Sequence, residues 1–126
     1  MLSLITILGE LTLTLSLLSG AVAQEIKDPL GIWIDDLIQA ESGGKENIKI
    51  LDVNGKYSYG CLQYQMSTFR AFATRYHFFD EPVDWQKEIM NCNTQKVLTR
   101  NIIQEDYGNW RHWENSVKNV VGKPPK

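Results

Sequence analysis

Asp28-Pro29-Leu30-Gly31-Ile32-Trp33-Ile34-Asp35-Asp36-Leu37-Ile38-Gln39-Ala40-Glu41-Ser42-Gly43-Gly44 is the stretch on which the reading of this chain turns. It opens with a capping Asp followed by Pro at the first helical position, the usual start of a helix. Trp33 and Leu37 lie one turn apart, as do Ile34 and Ile38, so the four form a single apolar stripe. Gly43 and Gly44 end the helix. Glu41 falls three residues after Ile38 and four after Leu37, on that same stripe. An apolar surround disfavours the charged form of a carboxylate and raises its pKa. That is how a general acid is kept protonated near neutral pH. The competing reading of Glu41 is a helix-terminal carboxylate that reaches water or pairs with Lys45.

Further along, Asn54-Gly55-Lys56-Tyr57-Ser58-Tyr59-Gly60-Cys61-Leu62-Gln63-Tyr64-Gln65-Met66-Ser67-Thr68-Phe69 carries a turn signal, then Gly-x-x-Gln running into a new helix. A helix-ending Glu-Ser followed by Gly-x-x-Gln at this spacing resembles the lytic transglycosylase (SLT-type) branch of the lysozyme superfamily. The resemblance covers Ile32 to Thr68 and thins out after that. It implies a lysozyme-like fold, mostly α (α+β), with helices around a catalytic cleft and a small β-hairpin. It implies cleavage of the β-1,4 bond between N-acetylmuramic acid and N-acetylglucosamine in peptidoglycan, with Glu41 as general acid and base and 1,6-anhydromuramyl products. It also places Gln63 beside the scissile bond, where its amide can donate and accept. The sequence departs from the family near its end: an Ala-Tyr-Asn is usual there, and the closest stretch is Trp113-Glu114-Asn115-Ser116. On that alignment Glu114 replaces a tyrosine that would orient the acid. The other reading is that Glu114 faces water.

A chain of 126 residues makes one domain with a single core. Met1 to Ala23 reads as a removable export segment: an apolar run ends in Ala21-Val22-Ala23, a small-x-small cleavage pattern. No Lys or Arg precedes the run and Glu10 interrupts it, so an uncleaved anchor is the competing reading. Residues 24–126 would then be the domain, exported to the periplasm, the envelope or the medium. Lys and Arg total 13 against 15 Asp and Glu, a net charge of −2 that gives no basic stripe for nucleic acid. Cys61 and Cys92 suit one disulfide in an oxidising compartment, with two buried thiols as the alternative. His77 and His112 lack zinc spacing, so neither metal nor cofactor is expected. No partner surface is legible, and a monomer is expected.

The remaining pattern is mostly helical. Ile48 to Val53 alternates briefly and meets Asn54-Gly55, so a small hairpin should close by Tyr59. Ser67 can cap a helix from Thr68 to His77, with Phe69, Phe72, Ala73 and Tyr76 on one face. Asp84 caps a short helix. Asn93 begins another, with Val97, Leu98, Ile102 and Ile103 inward, and Asn109 or Trp110 starts the last. Gly122-Lys123-Pro124-Pro125-Lys126 reads as a solvated tail.

A carboxylic acid at Glu41 can protonate the leaving oxygen as an oxocarbenium-like centre develops. Intramolecular attack by a sugar hydroxyl then needs no protein nucleophile. Asp52 is the other candidate carboxylate: it could position a water and make the enzyme a muramidase, or it could simply be a turn residue. Asn54 falls where the family often has a substrate-reaching serine, although the turn already explains it. Tyr57, Tyr59 and Tyr64 could offer ring faces to sugar, or pack in the core. Ser42 suits the helix end better than a sugar contact. A wall-binding domain without turnover is the reading outside the enzymes.

Overall fold

The computed structural model describes residues 27–126; the export-segment reading of Met1 to Ala23 lies outside them. Helix α1 (Pro29–Ser42) is capped by Asp28, whose carboxylate accepts from the Gly31 N–H, and Gly43 ends it with φ +63°. Its stripe is buried as its periodicity predicts: Trp33, Ile34, Leu37 and Ile38 all enter the core. Three short strands follow, β1 (Lys49–Leu51), β2 (Tyr57–Tyr59) and β3 (Tyr64–Gln65), in an antiparallel sheet of that order. The Asn54-Gly55 turn closes β1 onto β2, with Asn54 accepting from the Lys56 N–H at 3.0 Å and Gly55 at φ +80°.

Helices α2 (Met66–Arg75), α3 (Trp85–Glu88) and α4 (Cys92–Glu105) come next. Asp84 caps α3 as its sequence position predicts. Asn91, and not Asn93, caps α4, and α2 begins at Met66, without the expected Ser67 cap. On α4 the buried stripe is Gln95, Leu98, Thr99, Ile102 and Ile103, while Val97 sits off that face and is exposed. The expected last helix is instead three joined pieces: a 3-10 stretch (Tyr107–Trp113), one α turn α5 (Glu114–Ser116) and a π-helical turn (Val117–Val121). Trp110, Trp113 and Val117 come from these pieces into the core.

The C-terminal tail is docked, against the expectation of a solvated one. The Trp33 indole N–H donates to the Gly122 carbonyl at 2.9 Å, and the Tyr107 hydroxyl donates to the Pro124 carbonyl at 2.6 Å. Lys123 lies over the Trp110 ring. Pro124 is buried, and two buried or half-buried rings find partners for their polar atoms in the segment's carbonyls. The Cys61–Cys92 disulfide is present, joining the loop after β2 to the start of α4. It fits an oxidising compartment. Among the described residues, no helix is long and apolar enough to cross a membrane.

Candidate active site

Glu41 stands on the last turn of α1, on the wall of a groove of about 660 Å³. The sheet and loop supply one side through Ile50, Asp52, Val53, Asn54, Ser58, Gln63 and Gln65, and the C-terminal pieces supply the other through Arg111 to Ser116. Register explains the first wall. Ser58 pairs with Ile50 on β1 and with Gln65 on β3, so these three share one face of the sheet. The alternate residues Lys49, Leu51, Tyr57 and Tyr59 share the other.

The Glu41 carboxyl is partly sequestered and accepts a hydrogen bond from the Ser116 hydroxyl. Burial pushes its pKa above the usual glutamate range; the Ser116 bond opposes that rise, and the charge of Asp52 adds to it. Asp52 is held from two sides. Ser58 donates its hydroxyl to Oδ2, and the Gln65 amide donates to the same oxygen at 2.8 Å. Gln65 in turn exchanges bonds with the Asn54 amide, both at 3.2 Å. The backbone of Asp52 also closes the hairpin turn, accepting from Gly55 and donating to the Lys56 carbonyl. It is thus both a turn residue and a groove carboxylate, where the sequence reading weighed one against the other.

Gln63 lines the groove with φ +55°, a conformation costly for a residue with a side chain. Its side-chain amide donates to the Gly60 carbonyl at 2.9 Å, leaving Oε1 as an acceptor. Tyr64 borders the groove, but its ring is in the core and its hydroxyl is bonded to Thr99 at 2.7 Å. Tyr59 lies on the opposite face of the sheet and does not line the groove. Ser42 is buried and serves the helix end, donating to the Ile38 carbonyl and accepting from the Gly44 N–H. Glu114 lines the groove's rim, exposed and paired with Lys118 at 2.8 Å. That bond and charge hold its carboxyl below the ordinary range. The hydroxyl beside the acid belongs to Ser116, two residues later.

The three residues that hydrogen-bond Glu41 and Asp52 in the groove, Ser116, Ser58 and Gln65, are not singled out by the sequence. Ser58 had a signal: a small polar residue between two strand tyrosines must face away from both. Ser116 had only its place at the end of the Trp113-Glu114-Asn115-Ser116 stretch. A second cavity of about 340 Å³ lies elsewhere, between α1 and α4. Its charges are paired: Arg100 with Asp28 and Lys96 with Asp35 tie α4 to α1, and Lys27 adds a second partner to Asp35. Comparison of the chain with protein-family models, with curated proteins and with solved structures found no match.

Proposed function

We propose that this chain is an exported, single-domain enzyme of lysozyme-like fold that cleaves peptidoglycan glycan strands as a lytic transglycosylase. The observation that carries the proposal is the environment of Glu41: a carboxyl whose pKa is raised by burial, hydrogen-bonded by Ser116, and open to a polar groove. A binding module has no need of an acid held there. Glu41 donates its proton to the glycosidic oxygen as the bond to C1 of N-acetylmuramic acid breaks. The resulting carboxylate, stabilised by the Ser116 hydroxyl, then takes the proton of the same sugar's C6 hydroxyl. That oxygen closes on C1, so Glu41 ends protonated and no water is consumed. Gln63 supports the sugar with its free amide oxygen, and Asn54 and Gln65 supply further polar groups along the wall.

One observation favours a second reading. Asp52 faces the same groove, its carboxylate fixed by Ser58 and Gln65. A fixed carboxylate can orient a water or stabilise the oxocarbenium centre, which would make the enzyme a muramidase. Incubating purified peptidoglycan with wild type and with Glu41→Gln tests the enzyme proposal. Soluble muropeptides from wild type only, with glycan binding kept by both proteins, are expected. Equal binding and no release by either protein would leave a wall-binding domain.

A further inference from the structure

We propose that Gln95 is a positioning residue for the groove: its buried amide fixes the loop from Gly60 to Tyr64, and through that loop sets both Gln63 and the Ser116-bearing segment against Glu41. As far as turnover is concerned, the proposal rests on the glycan-cleaving reading above.

Gln95 is completely buried on α4, and its amide makes three hydrogen bonds to backbone. Its oxygen accepts from the Leu62 N–H at 2.8 Å. Its nitrogen donates to the carbonyls of Tyr59 at 2.8 Å and Ile89 at 2.6 Å. Leu62 then passes the constraint on. Its carbonyl accepts the indole N–H of Trp113 at 2.9 Å, and Trp113 directly precedes α5, which ends at Ser116. On the other side of Leu62 stands Gln63, in its left-handed conformation, with side chain and backbone both donating to the Gly60 carbonyl. Gly60 lies directly against the Gln95 amide: a Cβ there would come within 2.5 Å of Nε2.

Filling space would not require an amide at this position. A buried amide costs free energy unless each polar atom is paired, so an apolar side chain of similar length would serve packing equally well. What the amide adds is one orientation for the Cys61–Leu62 peptide, whose N–H it accepts, and a hold on the Tyr59 carbonyl just before the loop. The neighbouring disulfide fixes how far Cys61 lies from α4, but it supplies no acceptor for the Leu62 N–H. Precise placement of reacting groups depends on such supporting contacts, and small displacements are costly to rate.

Gln95→Met keeps the length of the side chain and removes all three bonds. In folded protein, kcat should fall about 10- to 100-fold while KM changes less than about threefold, because the loss is of alignment and not of uniform binding. The carbon-13 titration of the Glu41 carboxyl should move to higher pH as Ser116 withdraws, and the Gln63 amide resonance should shift. Trp113→Phe removes the N–H to Leu62 together with part of the ring that packs on Tyr64, keeps the Gln95 bonds, and should move the same readouts less. The double variant should be no worse than Gln95→Met alone, since both substitutions cut one path. A folded Gln95→Met protein with wild-type kcat, Glu41 titration and Gln63 resonance would overturn the proposal. If Gln95→Met does not fold, an unmoved Glu41 titration in Trp113→Phe overturns it. Should wild type cleave no glycan, the functional reading fails, and the two resonances still decide the role of Gln95.

Discussion

Gly60 and Gly55 offer a matched pair of substitutions. Both have positive φ, +76° and +80°, so replacing either by Ala imposes a similar backbone cost of about 1 to 2 kcal/mol, partly offset by a stiffer unfolded chain. The surroundings differ. A Cβ at Gly55 meets nothing within 4 Å, whereas one at Gly60 stands 2.5 Å from Gln95 Nε2 and 3.3 Å from the Ile89 carbonyl oxygen. The Gln95 amide can move away only by leaving the Tyr59 and Ile89 carbonyls and the Leu62 N–H unpaired. At about 1 kcal/mol for each bond, Gly60→Ala should cost about 3 kcal/mol more than Gly55→Ala. Urea unfolding with the disulfide intact would show this as a midpoint about 2 M lower for the Gly60 variant. Equal midpoints would refute the claim that Gln95 holds this loop.

Glu41→Gln should abolish turnover and raise the thermal midpoint at pH 8. The folded-state pKa of Glu41 is raised, so its contribution to stability is fully present below the unfolded value and lost as pH rises through the folded one; melts at pH 4 should show no such gain. Ser116→Ala removes the bond that favours the carboxylate, so the basic limb of the pH–rate profile should move to higher pH; an unmoved limb would deny Ser116 its role. Replacing Cys61 and Cys92 together by Ser should lower unfolding free energy by about 3.5 kcal/mol, from the entropy of a loop spanning 31 residues, as read by urea titration.

Local chemistry makes much of the fold legible in the sequence. The cap, stripe and glycine stop of α1 are short-range features, and so are the Asn54-Gly55 turn and the Asp84 cap. Glu41 is legible because it breaks an apolar stripe. What escaped depends on distant partners. Ser116 meets Glu41 across 75 residues, in a stretch that passes from 3-10 to α to π geometry and so has no single period to read. Gln95 looks like a solvent-facing residue until the loop it pairs with is placed over it; once it counts as buried, the α4 stripe turns and Val97 falls outside. The tail Gly122-Lys123-Pro124-Pro125-Lys126 has the composition of a solvated end, but Trp33 and Tyr107 claim two of its carbonyls. Tyr59 cannot be separated from groove residues without the register that turns it away from Ser58, and the core placement of the Tyr64 ring depends on partners as distant as Thr99.

The most direct measurement is mass spectrometry of muropeptides released by the wild-type protein in water enriched in oxygen-18. Proton transfer by Glu41 with closure by the sugar's own C6 hydroxyl predicts anhydro ends, one water lighter than reducing ends and free of the heavy isotope. Reducing ends that carry oxygen-18 from the cleavage step would contradict it, and would make Asp52 the carboxylate to replace next.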